Sequence, residues 1–152
     1  MINLVPLNYE DTILLEHILS WRNDETTRNN SNNTNVITQE IFNKMLVKYK
    51  ESEIDPLIIY KNEVPVGIIT FVNSNDKIFI GINLSPQYRG QNLGSESLNF
   101  LINNSHKYFK SDIKIYAQVK KINTPSIKLF AKFFEFEEDC DDNIIFYKNF
   151  ST

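Results

Sequence analysis

Cysteine is nearly absent. Cys140 is the single thiol in 152 residues, which excludes an intrachain disulfide and a thiolate-based metal cluster. No resident metal is expected, and the reducing setting implied by this cysteine usage predicts a cytoplasmic protein. Long apolar runs are missing too. No stretch approaches the roughly 20 residues of a membrane helix, and Met1-Ile2-Asn3-Leu4-Val5-Pro6 lacks the basic segment and apolar run of a secretory leader. Excess positive charge is also lacking: a net charge of -3 excludes sequence-blind binding of nucleic acid, which needs clustered cations to displace counterions from phosphates. Neither a nucleic-acid nor a membrane partner is expected.

Glycine is scarce, 4 residues against the roughly 11 that average usage of about 7% would give. Arginine is scarcer: only Arg22, Arg28 and Arg89 carry the guanidinium that grips phosphate or carboxylate bidentately. Both scarcities converge at Arg89-Gly90, with Gly94 four residues on.

What is present suits one compact domain over residues 1–152: 41% hydrophobic and 23% charged residues, with no repeat or linker. Apolar periodicity predicts a strand over Ile2 to Pro6, a helix from Tyr9 to Trp21, and a second helix capped by Thr38 and running to about Lys50. Between these helices the Asn-rich stretch from Asn23 to Asn35 reads as a loop or irregular helix. Leu57 to Tyr60, Pro65 to Val72 and Ile78 to Leu84 alternate as an antiparallel meander. After Pro86 the period becomes helical from Leu93 to about Phe109. Ile113 to Val119 is a strand, Ser126 to Phe134 a helix, and Ile144 to Phe150 the closing strand. The fold class is α/β, a mixed and mostly antiparallel sheet flanked by helices.

The segment from Leu84 to Ser95 ends a strand and opens a helix, so successive backbone amides can converge on an anion at a helix N-terminus. Arg89-Gly90-Gln91-Asn92-Leu93-Gly94 resembles the Arg/Gln-x-x-Gly-x-Gly/Ala loop of the GNAT superfamily of N-acetyltransferases. Asn92 stands at that loop's central Gly, and Asn is among the non-Gly residues most tolerant of left-handed backbone. Asn123-Thr124-Pro125-Ser126-Ile127-Lys128-Leu129-Phe130 resembles the Asn-x-x-Ser-Ile segment that begins the last helix of the same family, and the order of elements matches as well.

This resemblance implies an acetyl-CoA-dependent transferase acting on a primary amine. It implies that Ile82, Asn83 and Leu84 offer freed backbone groups to the pantetheine arm, with the Leu84 amide binding the oxyanion. The amides of Gly90, Gln91, Asn92, Leu93, Gly94 and Ser95, helped by Arg89, would receive the pyrophosphate, while Asn123, Ser126 and Phe130 would face the cofactor. Asn123 and Ser126 also suit a local capping role. Phe130 occupies the position where the family often has a tyrosine acid, so the thiolate must leave without it; Tyr116 and Tyr88 are alternatives. Asp24 and Glu25 are better placed in sequence to act as a base than His17 or His106.

Trp21, Arg22, Asn23, Arg28 and Ser31 fall between the first two helices, where the family builds its acceptor pocket. Trp21 offers a flat apolar face for a ring, and the two arginines could present cations to an anionic acceptor. The alternative is a Trp21 that anchors the first helix in the core, with solvated arginines. The pattern Trp-Arg-Asn-Asp, with Ala117-Gln118-Val119-Lys120 and Phe130, resembles enzymes that acetylate nucleotide-linked amino sugars. A small-molecule amine is the expected partner, with a homodimer left open. The alternatives are an acetyltransferase for peptide or protein N-termini and a non-catalytic CoA-binding module.

Overall fold

A computed structural model describes residues 1–151. In chain order it contains β1 (Ile2–Pro6), α1 (Thr12–Asn23), α2 (Glu25–Asn29), α3 (Gln39–Glu51), β2 (Leu57–Lys61), β3 (Val64–Ser74), β4 (Lys77–Leu84), α4 (Leu93–Asn103), β5 (Ile113–Lys120), α5 (Thr124–Phe133), β6 (Glu135–Cys140) and β7 (Asn143–Phe150). The seven strands form one sheet in the order β1-β2-β3-β4-β5-β7-β6. Every neighbouring pair is antiparallel except β4 and β5.

Alternation along the strands feeds two apolar layers. Leu57, Ile59, Ile69, Phe71, Ile80, Ile115 and Ala117 face α4 and α5, where they pack with Leu93, Leu98, Leu101, Phe130 and Phe134. Ile58 and Ile68 point the other way, toward Leu14, Ile18 and Trp21 of α1 and Phe42 of α3. Asp11, Asp24, Thr38 and Asn123 each place a side-chain oxygen on an amide of the helix that follows, supplying four of the five helices with N-caps.

The structure departs from the sequence expectations at four places. The first helix begins at Thr12 rather than Tyr9, because Asp11 caps it by accepting from the Leu14 amide. The Asn-rich stretch contains the short helix α2, nucleated by the Asp24 cap. Helix α4 ends at Asn103, because Asn104 leaves helical geometry and a 3-10 turn over Ser105–Lys107 follows. Strand β6 was not expected. Its sequence, Glu-Phe-Glu-Glu-Asp-Cys, is mostly exposed, and a bulge interrupts its register near Glu137, as suits a charged edge that must not recruit further strands.

One topological detail positions the site. Strand β4 pairs with β3 along its whole length, but with β5 only at Ile78 and Phe79. Beyond those residues the two parallel strands part, leaving a gap between Ile80–Leu84 and the end of β5. Gly67, opposite Leu84, keeps β3 close at the mouth of this gap. A Cβ there would lie 2.8 Å from the Asn83 carbonyl oxygen and 2.9 Å from Leu84 Cδ2.

Candidate active site

The Ser85 amide donates to the Val66 carbonyl at 2.8 Å, continuing the β3–β4 ladder past the end of β4. Because backbone groups alternate sides along a strand, Asn83 and Gly81 also turn toward β3, whereas Leu84, Ile82 and Ile80 turn away from it. The peptide groups of Ile82 and Leu84 therefore face the gap. Asn83 is a correction to the expectation: its backbone belongs to the ladder. Its side chain instead borders a cavity on the helix side and accepts from the Thr27 hydroxyl at 3.4 Å.

The loop after β4 runs through a 3-10 turn at Pro86–Tyr88 into Gly90, whose φ of +75° favours glycine. Asn92 takes φ 63° and ψ 19°, the left-handed conformation expected of an asparagine at this place. No side chain caps α4. The amides of residues 90 to 95 donate no hydrogen bond to any described residue, and the helical ladder begins at Glu96, which donates to the Asn92 carbonyl at 3.1 Å. Six consecutive free amides thus surround the positive end of a helix dipole, an arrangement that suits a pyrophosphate. Gly94 lies at the contact with α5, where a Cβ would meet Leu129 Cδ2 at 3.2 Å.

The side chain of Arg89 leaves this loop. Its Nη2 donates to Asp24 Oδ2 at 2.8 Å and to Thr27 Oγ1 at 2.6 Å, so its charge holds the start of α2. Positive charge reaches the loop from elsewhere: Lys132 of α5 donates to Ser95 Oγ at 3.2 Å, and Lys61 of β2 donates to Gln91 Oε1 at 3.3 Å. Neither lysine was singled out from the sequence. Both are distant in the chain, and nothing in their local pattern marks them.

Helix α2 lies beside the gap, tethered at both ends. Arg89 grips its N-terminal end, and Lys120, at the end of β5, donates to the Asn29 and Ser31 carbonyls at 3.1 and 3.0 Å. A cavity of about 190 Å³ opens between this segment, α1, α3 and the sheet; its wall includes Arg22, Thr27, Ser31, Tyr49, Ile82 and Asn83. A larger groove of about 420 Å³, with no wall residue in common, lies farther along β3 and β4 at Val72 and Phe79. Of these two, the smaller cavity borders β4 at Gly81, Ile82 and Asn83, and the Ile82 peptide is turned to the gap.

Of the five acceptor candidates, Arg22 and Ser31 line this cavity. Trp21 is buried in the second apolar layer and stacks against His17 at 6.4 Å, so the expected flat face is turned into the core. Asn23 exchanges two hydrogen bonds with the backbone of Ile37, at 2.8 and 2.7 Å. Arg28 donates to the carbonyls of Asn23 and Thr34, both at 3.1 Å, and ties the loop to itself. Tyr49 and Thr70 complete the cavity from α3 and β3; sequence reasoning missed them because they come from elements remote from the Trp-Arg-Asn motif.

Among the described residues, no carboxylate or imidazole lines the cavity. The Arg89 hydrogen bond holds the Asp24 carboxyl below its ordinary value, which makes it a weak base as well as a tether. His17 and His106 are exposed and border neither cavity. On α5, Asn123 accepts from the Ser126 amide at 3.3 Å, which is the capping role. Phe130 is packed between Phe134 and Phe146 with 3% of its surface exposed, so it is a core residue rather than a ligand-facing one.

A sheet parted between parallel strands, leading into an uncapped helix ringed by free amides, defines a protein that can seat an extended thiol arm and its pyrophosphate. The profile of the acetyltransferase (GNAT) family matches residues 15–136, and the chain belongs to that family. It is an acyltransferase whose acetyl donor is acetyl-CoA. Among solved structures it is similar to the Campylobacter jejuni N-acetyltransferase PseH in complex with acetyl coenzyme A, at 21% identity over 97% of this chain and 98% of that one, with a TM-score of 0.70. A domain from Methanocaldococcus jannaschii is similar at 20% identity, 98% coverage of both chains and a TM-score of 0.77. An N-acetyltransferase from Staphylococcus aureus is similar at 18% identity, over 99% of this chain and 98% of that one, with a TM-score of 0.70. No curated protein matches the sequence significantly.

Proposed function

We propose that the protein transfers the acetyl group of acetyl-CoA to the primary amine of a small amino sugar, free or linked to a nucleotide. The observation that carries this reading is the meeting of two features at Ile82–Leu84: peptide groups turned into the strand gap, and a side-chain cavity on the adjoining face. The resemblance of Trp21-Arg22-Asn23-Asp24 and Ala117-Gln118-Val119-Lys120 to acetyltransferases of nucleotide-linked amino sugars supports the choice of acceptor.

In this reading the amides of residues 90 to 95 hold the pyrophosphate, with Lys61 and Lys132 adding charge. The Ile82 peptide lies along the pantetheine arm. The Leu84 amide donates to the thioester oxygen as attack by the amine turns it into an oxyanion. The C–S bond then breaks, and the thiolate leaves unaided because an ordinary thiol pKa of about 8.5 makes it a tolerable leaving group. The acceptor amine attacks in its neutral form, and its proton passes to water. Orientation supplies the remaining acceleration.

The test is to incubate the protein with acetyl-CoA and separate pools of amino-sugar nucleotides, free amino sugars and peptides, following thiol release and product mass. Acetylated sugar is the expected product. Acetylation confined to peptide N-termini would replace this reading with its nearest rival.

A further inference from the structure

Arg22 is the unusual charge of this molecule. Its Nη2 donates to the Asn33 carbonyl at 3.0 Å, but its Nη1 is buried and has no hydrogen-bond partner. Among the described residues no carboxylate lies within ion-pair distance of it, and Asp24, two residues on, is engaged by Arg89. Desolvation lowers the pKa of the guanidinium, and nearby Arg28 works in the same direction. Tyr49 lines the same cavity beside this charge, which opposes the rise that burial gives the pKa of its hydroxyl. A half-buried cation with one buried nitrogen unpaired is costly unless something anionic completes it. The unsatisfied Nη1 belongs to a residue that, with Tyr49, lines the helix side of the cavity bordered by Ile82 and Asn83 of β4.

We infer that the acceptor carries an anionic oxygen group, a carboxylate or a phosphoryl, which docks on Arg22 and Tyr49 while its amine is presented to the gap at Ile82–Leu84. This rests on the acetyltransferase reading and narrows its substrate class. A cavity of about 190 Å³ lies below the roughly 300–1,000 Å³ of sites that enclose a drug-sized ligand, so it takes the amine-bearing ring and its charged substituent. An anionic oxygen group supplies the Arg22 guanidinium with a counter-ion within reach of the Tyr49 hydroxyl, and the planar guanidinium matches either group bidentately. A neutral acceptor would leave the Arg22 charge without a counter-ion.

The experiment compares three acceptors built on one ring: a neutral amino sugar, the corresponding amino-uronic acid, and the amino-sugar phosphate. Acetyl-CoA consumption is measured with the intact protein and with Arg22→Gln and Tyr49→Phe. The intact protein is expected to favour at least one anionic acceptor over the neutral parent by about ten- to a hundredfold in kcat/KM, the scale of a charge-assisted hydrogen bond. Which acid is favoured identifies the group. Arg22→Gln should collapse that ratio toward one, and Tyr49→Phe should reduce it several-fold, while calorimetric affinity for acetyl-CoA stays unchanged in both. Equal use of neutral and anionic acceptors by the intact protein overturns the inference and leaves acetyl transfer standing, as does a ratio that survives Arg22→Gln. Failure to acetylate any member of the panel or any other amine overturns the acetyltransferase reading and this inference with it. Should Arg22→Gln fail to fold, Tyr49→Phe and the three-acceptor comparison on the intact protein still decide the matter.

Discussion

Replacing Arg89 with methionine separates the role of its sequence motif from the role of its side chain. If Arg89 neutralises pyrophosphate, Arg89→Met weakens acetyl-CoA binding. The structure gives a different expectation, because both of its hydrogen bonds, 2.8 Å to Asp24 and 2.6 Å to Thr27, go to the start of α2. The pair is partly solvated, with Arg89 34% and Asp24 25% exposed, which puts the combined contribution at about 1 to 2 kcal/mol rather than the full value of a buried ion pair. Since α2 walls the cavity proposed for the acceptor through Thr27, that loss should appear as a rise of about five- to thirtyfold in acceptor KM. The acetyl-CoA dissociation constant, measured by calorimetry, should move less than about threefold on this reasoning. Stability should show a matching pH signature. The carboxyl of Asp24 titrates below its ordinary value because Arg89 hydrogen-bonds it, so the interaction is fully present above the unfolded pKa of about 3.9 and is lost as pH falls through the lower folded value. The difference in unfolding free energy between the intact protein and Arg89→Met should be constant near neutrality and shrink below pH of about 4. A large rise in the acetyl-CoA dissociation constant with an unchanged acceptor KM would refute this placement of Arg89.

Lys61→Ala combined with Lys132→Ala should weaken acetyl-CoA binding by about tenfold and flatten its dependence on salt, because both ammonium groups lie at the pyrophosphate loop; calorimetry at two ionic strengths checks this. Leu84→Pro removes an amide that faces the gap rather than the ladder, so kcat should fall by about 10²–10³ with little change in KM, with thermal melting showing that the fold persists. Gly67→Ala drives a Cβ against the Asn83 carbonyl and the Leu84 side chain, and should cost about 1–3 kcal/mol in denaturant unfolding. It should also lower kcat, since the strain falls on the β4 residues that border the gap.

The loop at residues 89 to 95 was legible in the sequence for a physical reason. Positive φ is a demand on residue type, and Gly90 and Asn92 satisfy it visibly in a chain with little glycine. The strands and long helices were legible because a buried face imposes its period. Strand β6 was not, because its residues are mostly exposed and its place depends on backbone pairing with β7, which leaves no alternation to read. The cavity proposed for the acceptor was only half legible, and helix geometry explains why. Trp21, Arg22 and Asn23 are consecutive on α1, and residues one and two apart on a helix do not share a face. Trp21 turns into the core, Arg22 to the cavity and Asn23 to the Ile37 backbone, so the motif could contribute one wall residue but not three. The partners of Arg22, above all Tyr49, arrive from another helix. The same limit applies to Arg89: its position in the chain puts it in the phosphate loop, while its length lets the charge act at α2. A motif fixes where the backbone goes, and a long side chain is free to spend its charge on a neighbouring element.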